Sequence, residues 1–160
     1  MKALTARALL AFGALLVLGA VNYSIYGKEQ VIATGRTIYL ELLPVDPRSL
    51  MQGDYMALRF RLAQDIERAR ESGALHERER RAPLQIDARG VAQLGAANAG
   101  VPRVHFKIRN GAVWLGTNAF FFEEGTAQRF EQARYGEFRL DEASGEAVLI
   151  GLADEHLRPL

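Results

Sequence analysis

The chain has 160 residues and a mass of 17.7 kDa, and its 49% apolar and 24% charged residues exclude both wholesale disorder and a polytopic membrane protein. Twenty Lys/Arg against nineteen Asp/Glu leave a net charge of +1, too balanced for a protein that binds nucleic-acid phosphates. There is no cysteine, which removes disulfides, CxxC redox pairs and thiolate metal sites.

Charge is unevenly spread. Residues 1–28 hold Lys2, Arg7 and Lys28 and no acid, so residues 29–160 carry 17 basic and 19 acidic side chains. The slight basicity belongs to the N-terminus. From Ala8 to Val21 every residue is apolar or Gly, and Asn22-Tyr23-Ser24-Ile25-Tyr26 follow before Lys28. As a helix the 19 residues Ala8–Tyr26 measure about 28 Å, close to the ~30 Å hydrocarbon core of a bilayer. Tyr23 and Tyr26 stand where an interfacial aromatic belt would be, and Lys2 and Arg7 put the N-terminus in the cytoplasm by the positive-inside rule. An uncleaved anchor and a signal peptide cut after Ala20 both export the remainder. Leu18, three places before that cut, fits a cleavage site poorly and favours the anchor. A buried core helix is the third reading, and the lack of any polar face counts against it. The expected layout is an anchor over 1–28 and an exported domain over 29–160.

Val31–Leu43 is rich in β-branched and large apolar residues, and Ile38, Leu40 and Leu42 alternate with Thr37, Tyr39 and Glu41; this predicts a strand ended by Pro44 and Pro47. Tyr55–Leu62 alternates again, with Met56, Leu58, Phe60 and Leu62 on one face. Leu62–Ser72 reads as a helix stopped by Gly73. Asp65–Arg81 holds five acids and five arginines, either a solvated face or an electrostatic docking surface.

Short strands follow. Leu84–Asp87 and Val91–Leu94 bracket Arg89-Gly90, while Val104–Ile108 and Val113–Leu115 bracket the hairpin dipeptide Asn110-Gly111. Ala119–Phe122 is a further strand, Gly125–Ala133 a short helix, and Phe138–Leu140 with Ala147–Gly151 a last hairpin around Ser144-Gly145. The predicted class is α+β: a mainly antiparallel β domain with one or two short helices, preceded by a transmembrane helix.

Leu43-Pro44-Val45-Asp46-Pro47-Arg48, then Gly53-Asp54-Tyr55-Met56-Ala57-Leu58-Arg59-Phe60, resembles the bacterial GDYXXLXY family. Gly53, Asp54, Tyr55 and Leu58 match its motif, and Phe60 stands where the motif has Tyr, keeping the ring without the hydroxyl. Phe120–Gly125 (FFFEEG) and Ala133–Arg139 (ARYGEFR) extend the resemblance over most of 29–152. It implies an N-terminally anchored, exported domain at the bacterial inner membrane, associated with a multi-pass membrane protein; it brings no mechanism and no cofactor.

Asp46 and Asp54 read as turn-capping carboxylates, or, with Arg48, as one polar site facing a ligand or partner. The expected functional surface is Asp46, Pro47, Arg48, Gly53, Asp54, Tyr55, Leu58 and Phe60, with Phe121, Glu124, Gly125, Tyr135, Gly136 and Arg139 secondary. A strand sends Phe121 to the opposite face from Phe120 and Phe122, so one side needs cover from a helix, lipid or another protein. Arg129, Arg134 and Arg139 are pairing candidates for Glu123 and Glu124.

A fainter similarity, to the Ser/Lys dyad of type I signal peptidases, points to Ser49 and Lys107 and a membrane-tethered hydrolase, although Pro44 occupies the place of that family's nucleophile. A periplasmic binder of a small ligand or lipid is the third functional reading. His76, His105 and His156 have no metal-ligand spacing, so no metal is expected.

Overall fold

The computed structural model describes residues 2–43, 55–123 and 125–160. An N-terminal helix, α1 (Lys2–Thr34), leads into ten strands, almost all of six residues or fewer, and two further helices, α2 (Arg61–Glu71) and α3 (Ala127–Phe130). The class is α+β, with every named strand pair antiparallel.

At 33 residues α1 is about 50 Å long. Its apolar side chains from Leu9 to Ile25 face solvent on all sides; Leu9 is 74% and Phe12 65% exposed. The residues Leu9–Thr34 form one helix long and apolar enough to cross a membrane. The first strand starts only at Arg36, and the helix continues through Val31–Thr34, where a strand was expected to begin. Val31 is the first of its described side chains to be buried. Gly35 ends it, with its N–H on Val31 O at 2.8 Å. A Cβ on Gly35 would stand 2.4 Å from Val31 O and 3.1 Å from Leu140 O, so only glycine lets the chain turn against the sheet there.

The central sheet has the order β1 (Arg36–Glu41), β9 (Tyr135–Leu140), β10 (Ala147–Ala153). Alternation sends Ile38 and Leu40 inward from β1, and Gly136, Phe138 and Leu140 inward from β9. A second sheet runs β4 (Ala92–Leu94), β3 (Arg81–Ile86), β5 (Arg103–His105). It meets the first through Tyr39, whose N–H donates to Gly90 O at 2.9 Å. At its far edge His105 N–H donates to Gly145 O at 2.6 Å, so β5 returns to the β9–β10 turn and the two sheets curl around a shared interior. Leu62 and Ile66 of α2, with Val104, Phe106 and Leu115, fill it, all 2% exposed or less. Burying side chains of this size stabilises by roughly 1.5–3 kcal/mol each before conformational entropy is subtracted.

Two ribbons complete the domain. β6 (Lys107–Arg109) and β7 (Ala112–Trp114) join at Asn110-Gly111, both with positive φ (52° and 81°), as the dipeptide predicts. The expected strand over Val104–Ile108 is broken at Phe106, whose buried ring divides β5 from β6. β2 (Tyr55–Ala57) pairs with β8 (Ala119–Phe121). The strand expected over Tyr55–Leu62 is shorter than predicted, since β2 ends at Ala57 and Arg61 already opens α2, but the alternation holds: Met56, Leu58, Phe60 and Leu62 are all buried.

Candidate functional site

Two regions of the surface concentrate unusual side chains. The first surrounds the family motif. Asp46, Pro47, Arg48, Gly53 and Asp54, with Ser49, lie outside the described residues, as does Glu124. The residues on either side of 44–54 are joined: Leu42 bridges Phe60, and Leu43 N–H donates to Arg59 O at 2.8 Å. Glu41 and Arg61 extend that junction with a two-point ion pair at 2.7 and 2.9 Å, which raises the Arg61 pKa through its hydrogen bonds to the carboxylate.

Leu58 and Phe60 do not belong to a surface. They are 2% and 3% exposed, and the Phe60 ring meets Phe138 edge-on at 5.3 Å. The alternation that made the segment a half-buried strand turns these two inward, and the Phe60 ring is a core group. Gly136 of the ARYGEFR run is its floor and is itself buried. Tyr55 remains half-exposed and lies across from Phe121, ring centroids 5.8 Å apart. Phe121 is 74% exposed, while Phe120 and Phe122 pack on Phe130 at 5.1 and 5.3 Å. The strand therefore divides its three rings as alternation requires. Outside α1, Phe121 and Ile150 are the exposed large apolar side chains among the described residues.

The other expected residues are dispersed. Gly125 takes φ +83° in the turn before α3, with open space around it. Tyr135 and Arg139 are half-buried on β9, on the face opposite Gly136. Arg139 is drawn to the end of α1, not to Glu123: its Nη1 donates to Gly35 O at 3.2 Å, and its buried Nε has no partner among the described residues. Arg134 likewise donates to the Ala133 carbonyl, and Arg129 lies 6.0 Å over the Phe130 ring.

The second region is a cleft of about 310 Å³ where β5 returns to the β9–β10 turn. Lys28 of α1, His105, Lys107, Trp114, Ser144 and Glu146 line it. Lys28 and Glu146 form an ion pair across its edge. His105 is held below the ordinary histidine pKa, first by partial burial and then by the positive charges of Lys107, Arg81, Arg80 and Lys28. Sequence alone points to Lys107 as a candidate site residue but does not bring it together with Lys28, His105, Trp114, Ser144 and Glu146, which lie on α1, β5, β7 and the last hairpin. One sequence signal pointed here: Lys2, Lys28 and Lys107 are the chain's only lysines against 17 arginines, and two of the three meet in this cleft.

A Ser/Lys hydrolase needs a buried, pKa-lowered lysine. Lys107 is exposed. Ser144, the serine nearest it in the cleft, has its hydroxyl bound to Asp141 Oδ2 at 2.6 Å and accepts Glu146 N–H at 3.1 Å, the work of a turn residue. Among the described residues no three His, Asp or Glu side chains gather as a metal site.

Fold and surface together define a small α+β domain led by a membrane-length apolar helix, with Leu58 and Phe60 of the motif spent on packing. A family model described as GDYXXLXY protein matches residues 17–152, and the chain belongs to that family. The match begins inside α1 and so takes in Lys28, Gly35 and the helix–sheet junction. No curated protein and no solved structure matches the chain.

Proposed function

We propose that the protein is a membrane-anchored accessory module. Its N-terminal helix spans the bacterial inner membrane with the N-terminus cytoplasmic, and the domain that follows docks in the periplasm onto a multi-pass membrane protein through the β2–β8 ribbon. The anchor occupies residues 1–28, with α1 continuing as a stalk, and the domain takes up the rest. The observation that carries this reading is the Tyr55–Phe121 pair. An aromatic side chain left 74% exposed beside a second ring, on a domain whose other described aromatics are buried or half-buried, is what an interface core looks like before its partner arrives. Its neighbour in sequence is the motif segment 44–54, which holds Asp46, Arg48 and Asp54.

A photo-crosslinking residue at position 121 tests the reading in native membranes. Transfer of the crosslink to one membrane protein supports it; crosslinks to lipid alone contradict it.

A further inference from the structure

The cleft behind α1 has a place and a charge that the docking surface does not explain. Lys28 lies two residues beyond Tyr26, the last residue of the 19-residue apolar stretch. With the stretch Ala8–Tyr26 inserted in the bilayer, as in the anchor reading, the cleft would begin some 3 Å past the hydrocarbon edge at about 1.5 Å per residue, at headgroup depth. Of its charged lining groups, Lys28 and Lys107 are basic and Glu146 alone is acidic, already committed to Lys28, and His105 lies beside them. Trp114 stands beside them with its ring under the Arg109 guanidinium at 4.9 Å, an aromatic body with a polar handle of the kind found at membrane interfaces. Arg80 and Arg81 add to the positive field at His105. This is a concave, cationic site opening where phosphates of a lipid leaflet would lie.

We infer that the cleft binds the phosphate of an anionic phospholipid headgroup, with Lys107 and Lys28 as the charged contacts, His105 as a further donor and Glu146 as an internal competitor that holds Lys28 when the site is empty. The inference rests on the membrane-anchor reading above, because without insertion the cleft is at no fixed depth. It makes the cleft a clamp that fixes the domain's orientation at the bilayer, leaving the β2–β8 ribbon to face a partner. Lysine suits such contacts as a point charge near phosphate, worth about fivefold in affinity per residue at an anionic surface.

The chain carries its own reporter, since Trp114 is its single tryptophan. The full-length protein is placed in nanodiscs of neutral phosphatidylcholine containing increasing fractions of phosphatidylglycerol, and Trp114 emission is followed. Retention on the discs through an alkaline wash is scored separately. The expected result is a saturable emission change whose midpoint moves about fivefold to higher phosphatidylglycerol in Lys107→Gln and to lower phosphatidylglycerol in Glu146→Gln. Protein retained on the discs with emission indifferent to phosphatidylglycerol overturns the inference and leaves the anchor standing. Loss from the discs overturns both. The same emission change produced by millimolar inorganic phosphate in neutral discs assigns the site to a soluble anion and overturns the lipid headgroup.

Discussion

A Cβ built on Gly136 would fall 2.8 Å from Cε1 of Phe60 and 3.0 Å from the Phe138 ring. Two pieces of sequence separated by about seventy-five residues, the end of the GDY motif and the centre of ARYGEFR, are thus one packing unit. The Phe60 ring comes up against a strand residue with no side chain, so both positions have a packing role before any function is invoked.

Gly136→Ala should destabilise the domain by about 1–3 kcal/mol, the range for overpacking a filled core. Gly136 does not have a positive φ, so the clash alone sets the sign. Thermal unfolding of Gly136→Ala, Phe60→Leu and the double variant checks it: the two changes should couple by at least about 0.5 kcal/mol, because the smaller side chain vacates the space that the methyl needs. Simple additivity would mean that the two residues do not share that space.

Acid should weaken the fold in two stages. His105 has a lowered pKa in the folded state, so as pH falls below ~6.5 the unfolded chain takes up the proton first and stability declines until the folded value is passed. The groups facing it are Lys107, Arg80, Arg81 and Lys28, with Glu146 across the cleft. Asp154, the one buried charged residue among those described, accepts from Arg158 N–H at 2.9 Å, Arg158 Nε at 2.8 Å and His156 N–H at 2.8 Å. Those bonds, led by the Arg158 backbone N–H, lower its pKa; the stability they contribute is complete above the unfolded carboxylate pKa and is lost as pH falls through the folded one. Denaturant midpoints measured from pH 8 to 3 should fall twice, with the upper step flattened in His105→Gln and the lower in Asp154→Asn.

The absence of cysteine makes topology directly measurable. A single cysteine replacing exposed Glu155 should react with a membrane-impermeant maleimide added outside spheroplasts. Labelling only after the inner membrane is opened would reverse the orientation drawn from Lys2 and Arg7.

Much of the fold was legible because local rules and tertiary packing agreed. Asn110-Gly111 needed two positive φ values and has them, and the period-two pattern of Ile38, Leu40, Phe138 and Leu140 marks the inner face of the sheet. Where strand propensity and helix propagation disagreed, propagation won. Val31 and Ile32 favour a strand by propensity, yet helix propagation from the long apolar segment carries α1 through them, and Gly35 stops it where a side chain no longer fits. The motif residues Leu58 and Phe60 carried a signal of importance that alternation alone assigned to the interior, and burial agrees with the alternation. The cationic cleft was not legible, because its lining residues come from α1, β5, β6, β7 and the last hairpin and meet only when β5 closes onto Gly145.

Phe121→Ser tests the accessory-module account most directly, because the position is 74% exposed and a substitution there should change stability by no more than about 0.5 kcal/mol. Wild-type and variant full-length protein are purified from native membrane in mild detergent, and the co-purifying proteins are quantified against the bait. The account predicts one stoichiometric multi-pass membrane protein with the wild type, depleted at least tenfold in a variant of unchanged melting temperature. Equal recovery with both proteins, or no membrane protein with either, would contradict it.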